Sequence, residues 1–196
     1  MVFSEKNRSH PVRERLIFLK HYLFNPRKTG SVYPSSPALG KAMVSFLKNT
    51  QESIIIELGP GTGSITKVLL KSNIDLNNFY ACEISDVFAG HLRTRFPGIH
   101  VREGDASKLT QTFEELVGKV DCIFSSLPLK SLPSKAVKQI IDQEYKILKP
   151  QGIVIQFTYD LLRKQNSPLL NKFKHIGSKI VPTNFPPARV DAYLKE

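Results

Sequence analysis

Apolar residues in this chain come in short blocks, and the blocks switch between two spacings. Ile54–Leu58 (IIIEL) is a β-branched run that stops at glycines, the mark of a parallel strand buried on both faces. Ser64–Lys71 then reads as a helix, Phe79–Glu83 as a second strand, and Val87–Phe96 as a helix stopped by Pro97-Gly98. His100–Glu103 and Val120–Ser125 are the third and fourth strands. In Ser134–Leu148 the apolar positions Ala136, Val137, Ile140, Ile141, Tyr145 and Leu148 recur at helical spacing. Lys149-Pro150-Gln151-Gly152 reads as a turn into a fifth strand, Ile153–Thr158, and the tail from about Ile176 to Leu194 has room for two more. Five rounds of strand and helix predict an α/β fold: a doubly wound, mostly parallel, seven-stranded Rossmann-like sheet with helices on both faces. In such a sheet ligands bind at the carboxyl ends of the strands.

The N-terminal stretch has a different character. Val12, Leu16, Leu19 and Leu23 form one helical stripe, while Ile17, Phe18 and Phe24 add apolar surface outside it. Arg13, Lys20 and His21 lie mostly elsewhere, so an amphipathic basic helix suited to a membrane interface is one reading and a helix packed on the sheet is the other. The organisation expected is an N-terminal helix and lead-in segment over residues 1–37, acting as a membrane and substrate lid, followed by one domain over residues 38–196.

Composition narrows the partners. The 196 residues carry a formal net charge of +11, unevenly spread. Residues 1–50 hold +7 and residues 151–196 hold +4, whereas the middle of the chain is close to neutral. Basic ends suit a polyanion, either nucleic acid or an anionic membrane, and a bare solubility bias is the alternative. Cys82 and Cys122 both sit in apolar runs, which favours buried thiols and a reducing compartment over a disulfide. No secretory signal is visible, and the run Leu16–Phe24 is far short of the roughly 20 apolar residues a spanning helix needs.

The chemistry starts at Glu57-Leu-Gly59-Pro-Gly61-Thr-Gly63, between the first strand and the first helix. Glycines there allow a tight turn and close backbone approach to a ligand, a signal shared by several nucleotide-binding classes. Glu57 would repel a pyrophosphate, so it suits a cationic ligand or a loop hydrogen-bonded around one. Glu83 ends the second strand, where a carboxylate can accept both ribose hydroxyls, with Ile84 next to it. Gly104-Asp105-Ala106 follows the third strand, and Asp105 is placed to accept from an adenine amino group. A cationic adenosine compound satisfies all three positions, and S-adenosyl-L-methionine is the common one.

Together these residues resemble the signature of class I S-adenosylmethionine-dependent methyltransferases over roughly residues 53 to 158. The spelling of the glycine loop is similar to that of rRNA adenine dimethyltransferases. Those enzymes carry Asn-Leu-Pro-Tyr (or Phe) after strand four, to bond and stack a flipped base. Here Ser126-Leu127-Pro128-Leu129 stands in that place, which makes nucleic acid an unfavoured partner. Residues Phe24–Pro37 (FNPRKTGSVYPSSP), Ser125–Pro133 (SSLPLKSLP), Gln156–Tyr159 and Asn184–Val190 are similar to the soluble bacterial phospholipid N-methyltransferases. Asp191 and Ala192 depart from that pattern, standing where bulkier apolar residues are expected.

That resemblance implies N-methylation of phosphatidylethanolamine towards phosphatidylcholine by a monomer bound peripherally to the inner face of the cell membrane, with no metal. Adenine methylation of rRNA, or a small-molecule or protein acceptor, is the alternative. Tyr159, Tyr33 and Ser126 are the candidate catalytic positions, the tyrosines offering aromatic faces to an increasingly methylated ammonium. Ser125 joins the cofactor set, and Leu127, Pro128 and Leu129 form an apolar substrate wall. Arg189 pairs either with the lipid phosphate or with a structural acid.

Overall fold

The computed structural model describes residues 36–47, 51–162 and 167–196. Tyr33 and the stripe from Val12 to Leu23 lie outside the described residues. Seven strands make one sheet in the order β3-β2-β1-β4-β5-β7-β6. They are β1 (Ile55–Leu58), β2 (Phe79–Glu83), β3 (His100–Glu103), β4 (Val120–Ser125), β5 (Leu148–Thr158), β6 (Lys174–Val181) and β7 (Ala188–Leu194). β1 to β5 run parallel, and β7 is antiparallel to both β5 and β6. The chain order reverses between β1 and β4, so the connections after these strands diverge and leave a crevice at their carboxyl ends.

Among the described residues, five helices flank the sheet: α1 (Pro37–Val44), α2 (Ser64–Leu69), α3 (Asp86–Arg95), the short α4 (Leu109–Thr112) and α5 (Ser134–Ile147). Alternate strand residues face opposite layers. Ile123 and Val154 join α5 in one core, and Phe124 and Ile155 join α1 and α2 in the other. α1 is a helix that the periodicity did not reveal. Ser36 caps it, its Oγ accepting from the Leu39 amide at 3.2 Å, Pro37 occupies the first turn, and Leu39 and Met43 are fully buried. The segment read as a turn at residues 149–152 belongs to a long β5. A register irregularity between Val120 and Cys122 and a left-handed Gln151 (φ 62°) absorb the kink that its proline imposes. Both cysteines are buried thiols outside any disulfide, and burial pushes the Cys122 thiol well above its usual range.

α5 carries one anomaly. Its buried stripe is Ala136, Val137, Ile140, Ile141, Glu144 and Ile147, so a carboxyl sits at an apolar position. Neither Glu144 oxygen has a hydrogen-bond partner, and desolvation pushes its pKa from 4.5 to about 8. The folded protein therefore binds a proton there that the unfolded chain has already released above pH 4.5. Stability from this group is complete below about pH 4.5 and is lost as the pH rises to about 8, by about 1.4 kcal/mol per unit. Glu144→Gln, neutral throughout, is expected to gain on the wild type over this window, by a few kcal/mol at pH 8. Urea unfolding at pH 5, 6.5 and 8 measures the gap, and a gap that stays constant with pH contradicts the assignment.

Candidate functional site

The loop after β1 is held by backbone geometry that only glycine accepts readily. Gly59, Gly61 and Gly63 have φ of 69°, 58° and 77°. At Gly63, the residue capping α2, a Cβ would also lie 2.4 Å from the Phe96 ring. Gly59 donates to the Cys82 carbonyl at 2.9 Å, fixing the loop to the end of β2.

Glu83 is fully buried at that end. Its Oε2 accepts from the Gly61 amide and its Oε1 from the Ser85 amide, both at 3.0 Å. One carboxylate thus joins the glycine loop to the start of α3 at Asp86. A carboxylate oxygen can accept more than one hydrogen bond, so a buried carboxylate at this strand end suits a ribose diol.

Glu57 has a different place. It is fully buried and accepts from Thr66 Oγ1 at 2.7 Å, which pins α2 behind the loop. Of the two roles open to it, the structure shows the loop-holding one, and it does not line the slot where an adenosine would lie.

Gly59, Cys82, Ile84, Gly104, Ala106, Leu127 and Pro128 line that narrow slot at the carboxyl ends of β1, β2 and β4. Its walls are mainly apolar and suit the faces of a base. A Cβ at Gly104 would meet Thr112 Oγ1 at 2.8 Å and Cys82 Sγ at 3.3 Å, so the backbone there must stay bare. Asp105 Oδ1 accepts from the Ser107 amide at 2.8 Å, capping the turn at Ala106–Lys108. Asp105 is half-buried and next to Ala106 at the slot's edge. Cradle, acidic strand end and apolar slot agree with S-adenosylmethionine in the donor set they offer.

Ser125–Pro133 closes the far side. Ser125 and Gln156 are register partners at the ends of β4 and β5, so their side chains share one face. Gln156 Nε2 donates to the Leu127 carbonyl at 3.0 Å and the Phe157 carbonyl at 2.8 Å. Two carbonyls opposite the nitrogen fix the amide's orientation and leave Oε1 as a pure acceptor. Gln156 Oε1, Ser125 Oγ and Ser126 Oγ are buried and have no hydrogen-bond partner. Gln156 falls in a stretch that carries the family resemblance but takes no site role from the sequence, although it is the one polar residue in the run Ile153–Phe157, which is signal enough in a buried strand.

The remaining candidates divide. Tyr159, just beyond β5, is 45% exposed, stands edge-on to Phe157 and bonds the Asn184 side chain. Burial of part of the ring raises its pKa, so the phenol stays protonated at neutral pH. Leu129 is buried and faces away from the slot into a second cavity. Arg189 is corrected: it is 1% exposed, its Nε meets both Asp191 oxygens at 3.0 and 2.9 Å, and Nη1 donates to the Leu161 carbonyl. A guanidinium so enclosed serves the sheet, not a lipid phosphate.

Sheet order, glycine cradle and slot define a class I S-adenosylmethionine-dependent methyltransferase. A family model described as a methyltransferase domain matches residues 56–156, and the chain belongs to that family. It is 28% identical over 181 residues to an ornithine lipid N-methyltransferase of Singulisphaera acidiphila, covering 90% of this chain and 94% of that one. It is 27% identical to the ribosomal RNA small subunit methyltransferase A of Mycoplasmoides gallisepticum, over 66% of this chain but only 48% of that one. The fold matches 1,6-didemethyltoxoflavin-N1-methyltransferase of Burkholderia thailandensis, solved with S-adenosylhomocysteine, at a TM-score of 0.70. That match has 15% identity and covers 99% and 93% of the two chains.

Glu83→Ala is expected to weaken S-adenosylmethionine binding at least tenfold, because it removes the diol acceptor and frees two loop amides together. Calorimetric titration measures this, and an unchanged affinity would take Glu83 out of the site.

Proposed function

We propose that this methyltransferase transfers its methyl group to the amine headgroup of a membrane lipid, with phosphatidylethanolamine as the acceptor. The observation that carries the reading is the set of three buried oxygens without partners, Ser125 Oγ, Ser126 Oγ and Gln156 Oε1. A buried acceptor left unmade costs roughly 1–3 kcal/mol, so three together ask for a ligand rich in donors. A primary ammonium has three N–H groups. Once one proton leaves to water, two acceptors hold the remaining N–H groups and orient the lone pair. The bound cofactor supplies the electrophilic methyl group. Positioning then contributes much of the rate.

Three further features support a lipid. Leu129 stands where base methyltransferases keep an aromatic ring to stack on. A relative similar over 90% of this chain is named an ornithine lipid N-methyltransferase. The basic balance of +11 suits an anionic surface, each lysine or arginine near it contributing about 1 kcal/mol. No described helix is long and apolar enough to cross a membrane, so the reading is of a chain held at the interface.

Labelled cofactor offered with phosphatidylethanolamine vesicles or with rRNA separates the readings, and label in RNA but not lipid overturns this one. Ser125→Ala gives a second check. It removes an unsatisfied hydroxyl, so folding stability should hold or rise by up to about 1 kcal/mol while kcat/KM for the amine falls about tenfold. Unchanged kcat/KM would release Ser125 from the acceptor set.

A further inference from the structure

The loop Ser125–Pro133 has two working faces. Leu127 and Pro128 line the cofactor slot, whereas Leu129, Lys130 and Leu132 line a separate cavity of about 590 Å³ between this loop, α5 and the turn Pro168–Asn171. That volume is within the roughly 300–1,000 Å³ of small-molecule sites.

Floor and rim differ in chemistry. Leu129, Leu132, Val137 and Ile141 make an apolar floor. Lys130, Lys138 and Lys172 stand around the rim with one acid, Asp142. Lys172 pairs with Asp142 at 2.5 Å, and Lys138 and Lys146 act on the same carboxyl, so three cations share one anion. Lys130 pairs with Asp160, the residue after Tyr159. Both pairs are partly exposed, and such pairs contribute at most about 1 kcal/mol, so an incoming phosphate can take over either ammonium at little cost.

We propose that this groove holds one acyl chain of the glycerophospholipid substrate, with the lipid phosphate at the lysine rim. The assignment rests on the lipid-amine reading above and adds a place for the tail. An apolar floor under a cationic rim complements an acyl chain joined to an anionic phosphate. A protein partner fits poorly, because a stable interface buries on the order of 800 Å² per partner and four side chains offer far less. The loop gives the lipid its path, with the amine on the Leu127 side, the tail on the Leu129 side and the backbone between.

Photo-crosslinking tests the groove directly. The full chain is mixed with vesicles containing phosphatidylethanolamine that carries a diazirine on one acyl chain, then irradiated, and the labelled peptides are mapped by mass spectrometry. Label is expected between Leu129 and Ile141. Val137→Trp should cut it about tenfold while leaving cofactor affinity unchanged. Lys138→Glu, on the surface, should cut it about threefold and keeps the test decisive if the tryptophan variant does not fold. Label elsewhere on the chain, or label in the groove that neither variant reduces, overturns the proposal. Methyl transfer is read in the same samples. Groove labelling without transfer supports the groove and retires the lipid-amine reading, whereas transfer with label outside the groove does the reverse.

Discussion

Two backbone amides, one from the loop after β1 and one from the loop after β2, converge on one buried carboxylate, and the site depends on that convergence. Glu83 is fully buried, so its charge needs compensation inside the protein. The Gly61 amide donates to one oxygen and the Ser85 amide to the other. The glycine loop has three left-handed residues in five and is tied to β2 through the Gly59 amide. Bound to Glu83, it is held at a fixed distance from β2 and α3. Thr66, pinned to Glu57, fixes the helix that follows. The two acids read from the sequence as ligand contacts therefore have a prior job, which is to build the place where a ligand fits.

A second constraint runs across the sheet. Cys82, Leu58, Ser125, Gln156, Asp191 and Ser178 occupy one register row and one face. At the β7–β6 end the polar members satisfy one another. Asp191 accepts from Arg189 on both oxygens and from Ser178 Oγ at 2.5 Å, and His175 reaches Ser178 at 3.0 Å. At the β4–β5 end, Ser125 Oγ and Gln156 Oε1 lack partners. The same row is closed on one side and short of donors on the other, and the short side lies next to the slot. Glu144 on α5 also has unpartnered oxygens, so what distinguishes Ser125 and Gln156 is their place beside the slot.

How far the sequence disclosed this differs by residue. β1, β2 and β4 read cleanly because buried parallel strands announce themselves as apolar runs. α1 stayed hidden because eight residues give too little periodicity, although Ser36-Pro37 is a start signal. Asp191 looked like a misfit against the family's pattern, and the structure makes it the counter-ion of Arg189, which also removes Arg189 from the substrate. Strand alternation puts residues 189 and 191 on one face, but reading them as a buried pair requires knowing that this face is covered and that β6 lies outside β7. Gln156 failed for the opposite reason. It sits in a strand whose apolar character drew attention to its neighbours, and its role depends on a carbonyl 29 residues away.

The composition of SSLPLKSLP follows from these constraints. A loop that bonds a flipped base needs an amide and a ring, and it needs them on the slot side. This loop keeps its slot side to Leu127 and Pro128 and turns Leu129 and Leu132 the other way, into a groove rimmed by lysines. Prolines at 128 and 133 limit how far the backbone between them can move, and Gln156 fixes the Leu127 carbonyl from below. A base, flat and compact, has no use for the second face. A lipid does, because its reacting nitrogen and its apolar mass are far apart and must be bound by different chemistry on either side of one short wall.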